Sequence, residues 1–224
     1  SIKKALSDED FEKIKIHHTP AGHRSTYGEF FSYANENLVN ELCVYCNNDI
    51  SFDESLNEIL DFDLAGHFIC LTRWDLRHDN SLRFKQPARI RKNSQDAWIF
   101  KPPLPLKMVE KGGFYMGRPG CDGMVSYLAT ISGLKVFNPS LIVRAKHLHL
   151  SHHRTYGRKH RMGGDDIYVC VYPTDQIAFD PSKLMYKFHK GKRAYGQEAM
   201  DTAIRNEEEN EIHWNWALEK CRTR

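Results

Sequence analysis

Three aspartates border apolar or turn-forming segments. Asp49 follows the apolar run at 42–46, Asp96 precedes the short apolar run at 97–100, and Asp122 ends the turn Gly117-Arg118-Pro119-Gly120-Cys121. Four histidines, His147, His149, His152 and His153, follow close together. Carboxylate oxygens suit a hard divalent cation such as Mg2+ or Mn2+, and an imidazole among them shifts the preference towards Mn2+. A cation held by few protein ligands keeps positions for phosphate oxygens and neutralises a diphosphate leaving group. A carboxylate set apart from the metal can take the proton of a reacting hydroxyl. Each acid also has a plain structural reading. Asp is common at strand ends and helix caps, so Asp49 can be a strand-end cap and Asp122 a helix N-cap. His147 and His149 alternate along an extended segment and so point the same way, one as a ligand and the other as a packed partner. His152 and His153 read as solvated.

These residues need a frame, and the spacing of apolar residues supplies one. Two glycines and a proline let the 117–120 turn form, and the pattern predicts a helix over 124–131 whose first cap is Asp122. Extended segments follow at 135–137 and 141–143, around the Asn138-Pro139-Ser140 bend. Upstream, the spacing predicts an amphipathic helix over 27–40 and a short helix from 51 to 60. The runs at 42–46, 68–74, 97–100 and 167–172 read as strands. A continuous apolar run such as 42–46 is expected of a buried parallel strand. Polar residues at the carboxyl end of such a strand are where ligands bind in open α/β sheets. Residues 197–220 form one long helical pattern with an acidic middle at Glu207, Glu208 and Glu209, read as a solvated face. Alternating strands and helices predict an α/β three-layer sandwich with a mainly parallel central sheet. No strand-helix-strand unit is evident before residue 40, so the usual first unit is expected to be missing or altered.

Composition bounds the class. The chain has 224 residues, 41% hydrophobic and 27% charged, which fits one sizeable globular domain. We read 1–224 as one domain, with 1–23 as an N-terminal extension and 197–224 as a C-terminal helix. The formal net charge of +3 argues against bulk nucleic-acid binding, although the run from Arg144 to Arg161 is basic. No transmembrane segment or signal peptide is evident. Most of the six cysteines sit in or beside apolar segments, as reduced thiols of a cytoplasmic protein would. Cys43 and Cys46 form a C-x-x-C within a strand pattern and without a second pair, a poor match to a zinc or redox site.

The motifs also resemble a family. Residues 46–53, Cys-Asn-Asn-Asp-Ile-Ser-Phe-Asp, resemble the N-x-D-I-x-F-D segment of predicted bacterial and viral sugar transferases with the GT-A type of fold. Leu71-Thr72-Arg73-Trp74, the segment from Ser94 to Phe100, the turn from Gly117 to Asp122 and the tail from Asn138 to Tyr156 are similar to further motifs of those proteins, in the same order. The resemblance spans about residues 24–156. It implies a GT-A-like, Rossmann-like fold and transfer of a sugar from a nucleotide-diphosphate donor to a hydroxyl of a glycan or lipid-linked acceptor. By that resemblance Asp49 binds the metal, with Asn47 replacing the first acid of the usual D-x-D motif, and His147 or His149 completes the metal or diphosphate site. Asp122 then looks like the base that deprotonates the acceptor, and Asp96 is similar to acids lining the acceptor side. Arg24, Tyr27, Asn47, Asn48, Arg73, Arg154 and Tyr156 are the implied donor contacts, and the loop 154–166 is expected to order over the diphosphate. Two other classes compete with this one. A metal-dependent phosphoesterase or nuclease could use the same acids and histidines, and a nucleotide- or glycan-binding module could retain the site without catalysis.

Overall fold

A computed structural model describes residues 24–84, 94–148, 167–188 and 191–222, with isolated positions at 7, 9, 12–14 and 162. A capping box opens helix α1 (Tyr27–Asn37). The Thr26 hydroxyl accepts from Glu29 N–H, and the Glu29 carboxylate accepts from Thr26 N–H at 2.7 Å. The helix buries Tyr27, Phe31 and Ala34, one apolar stripe at helical spacing. The strands that follow are β1 (Cys43–Cys46), β2 (Ile50–Ser51), β3 (His67–Leu71), β4 (Arg73–Leu76), β5 (Leu82–Arg83) and β6 (Ala97–Phe100), with a 3-10 helix (Glu54–Ile59) after β2. Helices α2 (Leu106–Glu110) and α3 (Cys121–Ile131) lead into β7 (Lys135–Phe137) and β8 (Ala145–His147). The remainder comprises β9 (Tyr168–Val171), β10 (Leu184–Phe188), β11 (Lys192–Tyr195), α4 (Gln197–Arg205) and α5 (Glu207–Arg222).

The fold is mixed α/β, with open sheets that combine parallel and antiparallel pairs. One sheet has the order β1-β6-β3-β7, a second β2-β8-β4-β5, and a third β11-β10-β9. The expected mainly parallel sheet gives way to a mixed one. In the first sheet β6 runs antiparallel to both β1 and β3, and β3 alone pairs in parallel, with β7. The apolar runs misled on direction because they report only that both faces are covered. Trp98 and Phe100 of β6 join the cluster with Tyr27, Phe31 and α3, while Ala97 and Ile99 join the cluster with Ile59, Leu71 and Val143. Either strand direction satisfies that burial.

Three other elements differ from the sequence reading. The run at 68–74 divides at Thr72 into β3 and β4, which belong to different sheets. The segment at 141–143 is a turn in which Ile142 and Val143 N–H both donate to Pro139 O. The long C-terminal pattern splits at Asn206, where Glu207 is drawn into bonds with Lys107 at 2.7 Å and Lys111 at 3.0 Å. Glu207 is therefore a docking residue, whereas Glu208 and Glu209 are exposed as expected.

The Asn138-Pro139-Ser140 bend fixes the division at Thr72. Asn138 is fully buried; its amide donates to Thr72 Oγ1 at 3.0 Å and to Val171 O at 3.2 Å. Ser140 Oγ accepts from Thr72 N–H at 2.7 Å and donates to Asn138 Oδ1. The Trp74 indole donates to Ser140 O at 2.8 Å. The Asn138 and Ser140 side chains thus satisfy the backbone and hydroxyl of Thr72 where the chain passes from β3 into β4. Residues Arg73 and Asp75 are aimed by that turn.

Candidate functional site

Two strand registers bring the candidate groups together. β4 and β8 run parallel, with Asp75 opposite His147, and β2 pairs antiparallel with β8, with Ile50 opposite His147. Asp49 precedes β2, and its carbonyl accepts from Leu148 N–H at 2.8 Å. Residues far apart in sequence thus meet: His147 Nε2 lies 3.1 Å from Asp49 Oδ2, and His147 Nδ1 lies 3.3 Å from Asp75 Oδ1. Burial, then the neighbouring Arg73 charge, holds the imidazole below its ordinary pKa, against the opposing pull of Asp49, Asp96 and Asp75.

Arg73 links this corner to a second group of acids. Its Nε donates to Asp75 Oδ1 at 2.9 Å and its Nη1 to Asp96 Oδ1 at 3.0 Å. Asn47, at the end of β1, also donates to Asp96 Oδ1 at 3.0 Å. Asp96 is buried, and its Oδ2 has no hydrogen-bond partner among the described residues. Asp122 stands close by. Its Oδ2 accepts from Gln95 N–H at 3.3 Å and its Oδ1 from the Cys121 thiol at 3.1 Å. The Tyr27 hydroxyl donates in turn to Cys121 Sγ at 3.5 Å. Burial first, and the Asp96 charge second, push Asp122 up to about 7.

Helix α3 holds Asp122 in a way the sequence did not disclose. Its N-cap is Gly120, in the left-handed region at φ 93°, and Asp122 is the second helical residue, not the cap. Desolvation and a second carboxylate raise this carboxyl even though it sits in the first turn of the helix. Gly123 serves packing. A Cβ there would lie 2.7 Å from Tyr168 Cβ, so the glycine lets α3 seat directly on β9.

The remaining predicted residues separate into three groups. Tyr27 is fully buried, with rings of Tyr45, Trp98 and Phe114 within 5.4 Å of its centroid, so it braces Cys121 and offers no face to a nucleotide. The guanidinium of Arg73 is occupied by two acids and acts as a strut. Arg24 and Asn48 are exposed, and Arg24 Nη2 lies 2.8 Å from where a Cβ on Gly117 would stand, beside the turn that leads into α3. His149, His152, His153, Arg154, Tyr156 and nearly all of the 154–166 loop and the 1–23 extension lie outside the described residues. Cys43 and Cys46 belong to the two different apolar clusters. No helix among the described residues is long and apolar enough to cross a membrane.

Asp75 is the site residue that sequence reasoning missed. It follows Trp74 inside a strand and belongs to no motif; only the parallel pairing of β4 with β8 reveals it.

No protein-family model, curated protein or solved structure matches this chain. Its own geometry is therefore the ground for a functional reading. Among the described residues no group of three or more His, Cys, Asp or Glu side chains is arranged to hold a metal by itself. Asp49 and His147 provide two donors of the right kind, one carboxylate oxygen and one imidazole nitrogen. A neutral imidazole has one N–H and can serve only one of its two carboxylate neighbours. A cation shared by Nε2 and Asp49 would leave Nδ1–H for Asp75 and satisfy both contacts. The residues fit a divalent cation that takes its other ligands from a substrate.

Proposed function

We propose that this protein is a divalent-metal-dependent glycosyltransferase of the GT-A type, moving a sugar from a nucleotide-diphosphate donor to an acceptor hydroxyl. The observation that carries this reading is the meeting of Asp49 with His147 on one side of Arg73, and of Asp96 with Asp122 on the other. Neutralising a diphosphate leaving group and taking a proton from the acceptor hydroxyl are separate tasks that call for separate groups. A cation, Mn2+ or Mg2+, would be held by Asp49 and His147 and supplies charge neutralisation for the departing diphosphate. Asp122 accepts the acceptor's hydroxyl proton. A base works best when its pKa lies near the operating pH, and a carboxyl raised to about 7 meets that condition where an ordinary one would not. Asp96 raises it by its charge, while Arg73 and Asn47 hold Asp96 in place. Asn47 therefore serves the acid side of the site, and Arg24 and Asn48 remain available for the donor.

A melting-temperature screen with UDP-, GDP- and dTDP-sugars, with and without Mn2+, tests the reading. One nucleotide class is expected to raise the melting temperature only when Mn2+ is present. Absence of a Mn2+-dependent rise with every donor contradicts the proposal.

A further inference from the structure

The imidazole of His147 is gripped from both sides, and the sheet builds the grip. Asp75 and His147 are register partners across the parallel β4–β8 pair, so their side chains leave the same face of neighbouring strands. Asp75 is fixed in turn, since its Oδ1 accepts from Arg73 Nε at 2.9 Å while Arg73 Nη1 is tied to Asp96. The buried Asn138–Ser140 bend holds the start of the strand that carries both residues. A chain of fixed groups therefore runs from the core to one ring nitrogen of His147. The other nitrogen faces Asp49, whose side chain is 34% exposed and stands on the solvent side.

We propose that Asp75 is a positioning residue: it receives Nδ1–H of His147 and so presents the Nε2 lone pair, together with Asp49, to a divalent cation. This inference rests on the function proposed above and names the residue that orients its histidine ligand. A carboxylate on the far nitrogen fixes the tautomer and the ring plane and makes the ligating nitrogen more basic. The Arg73 guanidinium donates to Asp75 Oδ1 and so holds this carboxylate on the Nδ1 side of the ring, away from the Asp49 side. Asp75 would then act through His147 and not as a ligand. A purely structural Asp75 would matter only for pairing Arg73, and cation binding would not notice its loss.

Titration of the full chain with Mn2+, alone and with UDP, followed by electron paramagnetic resonance, separates these roles. Free Mn2+ gives the affinity, and electron spin echo modulation reports whether a histidine nitrogen is bound. Wild type is expected to bind Mn2+ with nitrogen modulation. Asp75→Ala should weaken Mn2+ by about 10–100-fold and diminish the modulation. Asp75→Asn keeps an acceptor for Nδ1–H without the charge and should lose less. If Asp75→Ala fails to fold by circular dichroism, Asp75→Asn decides, with a several-fold loss expected. Wild-type affinity and modulation in the folded variant would overturn the role of Asp75 while leaving the metal site standing. Absence of Mn2+ binding, or of nitrogen modulation, in the wild type would overturn the cation site and this inference together.

Discussion

At the scale of single residues, Asp122 shows how surroundings select the chemistry of a carboxyl group. Burial and the Asp96 charge raise it to about 7, while the thiol of Cys121 and the N–H of Gln95 oppose the rise only in part. A carboxyl whose folded pKa lies above its unfolded value stabilises the fold below the unfolded pKa, and that stability is lost as pH rises through the folded one. The stability advantage of wild type over Asp122→Asn, which cannot ionise, should therefore shrink as pH rises from about 4 to about 8 in urea unfolding. Equal slopes in wild type and variant would show that Asp122 titrates normally. The same carboxyl predicts a transfer rate that rises with pH through about 7. Asp96→Asn removes the second-largest cause of the shift, so the acid limb of the kcat/KM profile should move to lower pH. A limb that stays in place would separate Asp96 from Asp122. Sequence alone pointed to both acids, yet it placed Asp122 at the cap of the helix and did not reveal Asp96 as its neighbour. The error has a physical source: a linear pattern shows a helix start, but not that a second carboxylate, 26 residues earlier, lies beside it.

At the scale of elements, close approach of α3 to β9 aims Asp122. Gly123 makes that approach possible, since a Cβ would meet Tyr168 Cβ at 2.7 Å. Gly123→Ala should cost about 1–3 kcal/mol through overpacking, read as a lower urea midpoint at unchanged slope. Wild-type stability in Gly123→Ala would mean that β9 can yield at Tyr168. Much of the element pattern was legible in advance. Helix α1, strands β1, β6 and β7 and helix α3 fall where periodicity put them, because each has a dense apolar face and a clear turn beside it. The β10–β11 hairpin was not anticipated. Its exposed Lys192, Arg193 and Tyr195 leave only Ala194 buried in β11, which is too little alternation to read as a strand. The break at Thr72 was equally hidden, since Leu71-Thr72-Arg73-Trp74 is strand-like throughout and the bend is imposed by Asn138 and Ser140, more than 60 residues away.

At the scale of the whole molecule, mixed sheets bring acids and a histidine from distant parts of the chain to one corner. β2, β4 and β8 bring Asp49, Asp75 and His147 together, and Arg73 ties that corner to Asp96, just before β6, with Asp122 of α3 beside it. The motif residues Asp49, Asp96, Asp122 and His147 were visible in the sequence, but their common location was not, because strand direction and register decide it. On the proposed reading the arrangement has two separable halves, a cation half and a base half. The most direct test measures release of nucleoside diphosphate from the donor chosen by the melting screen, at pH 8 with Mn2+ and a set of alkyl glycosides as acceptors. Wild type should turn over, Asp49→Ala should lose the dependence on Mn2+, and Asp122→Asn should retain donor binding while its rate falls by about 10²-fold or more. Turnover in both variants at the wild-type rate, or none in wild type with a donor that binds, would contradict the account.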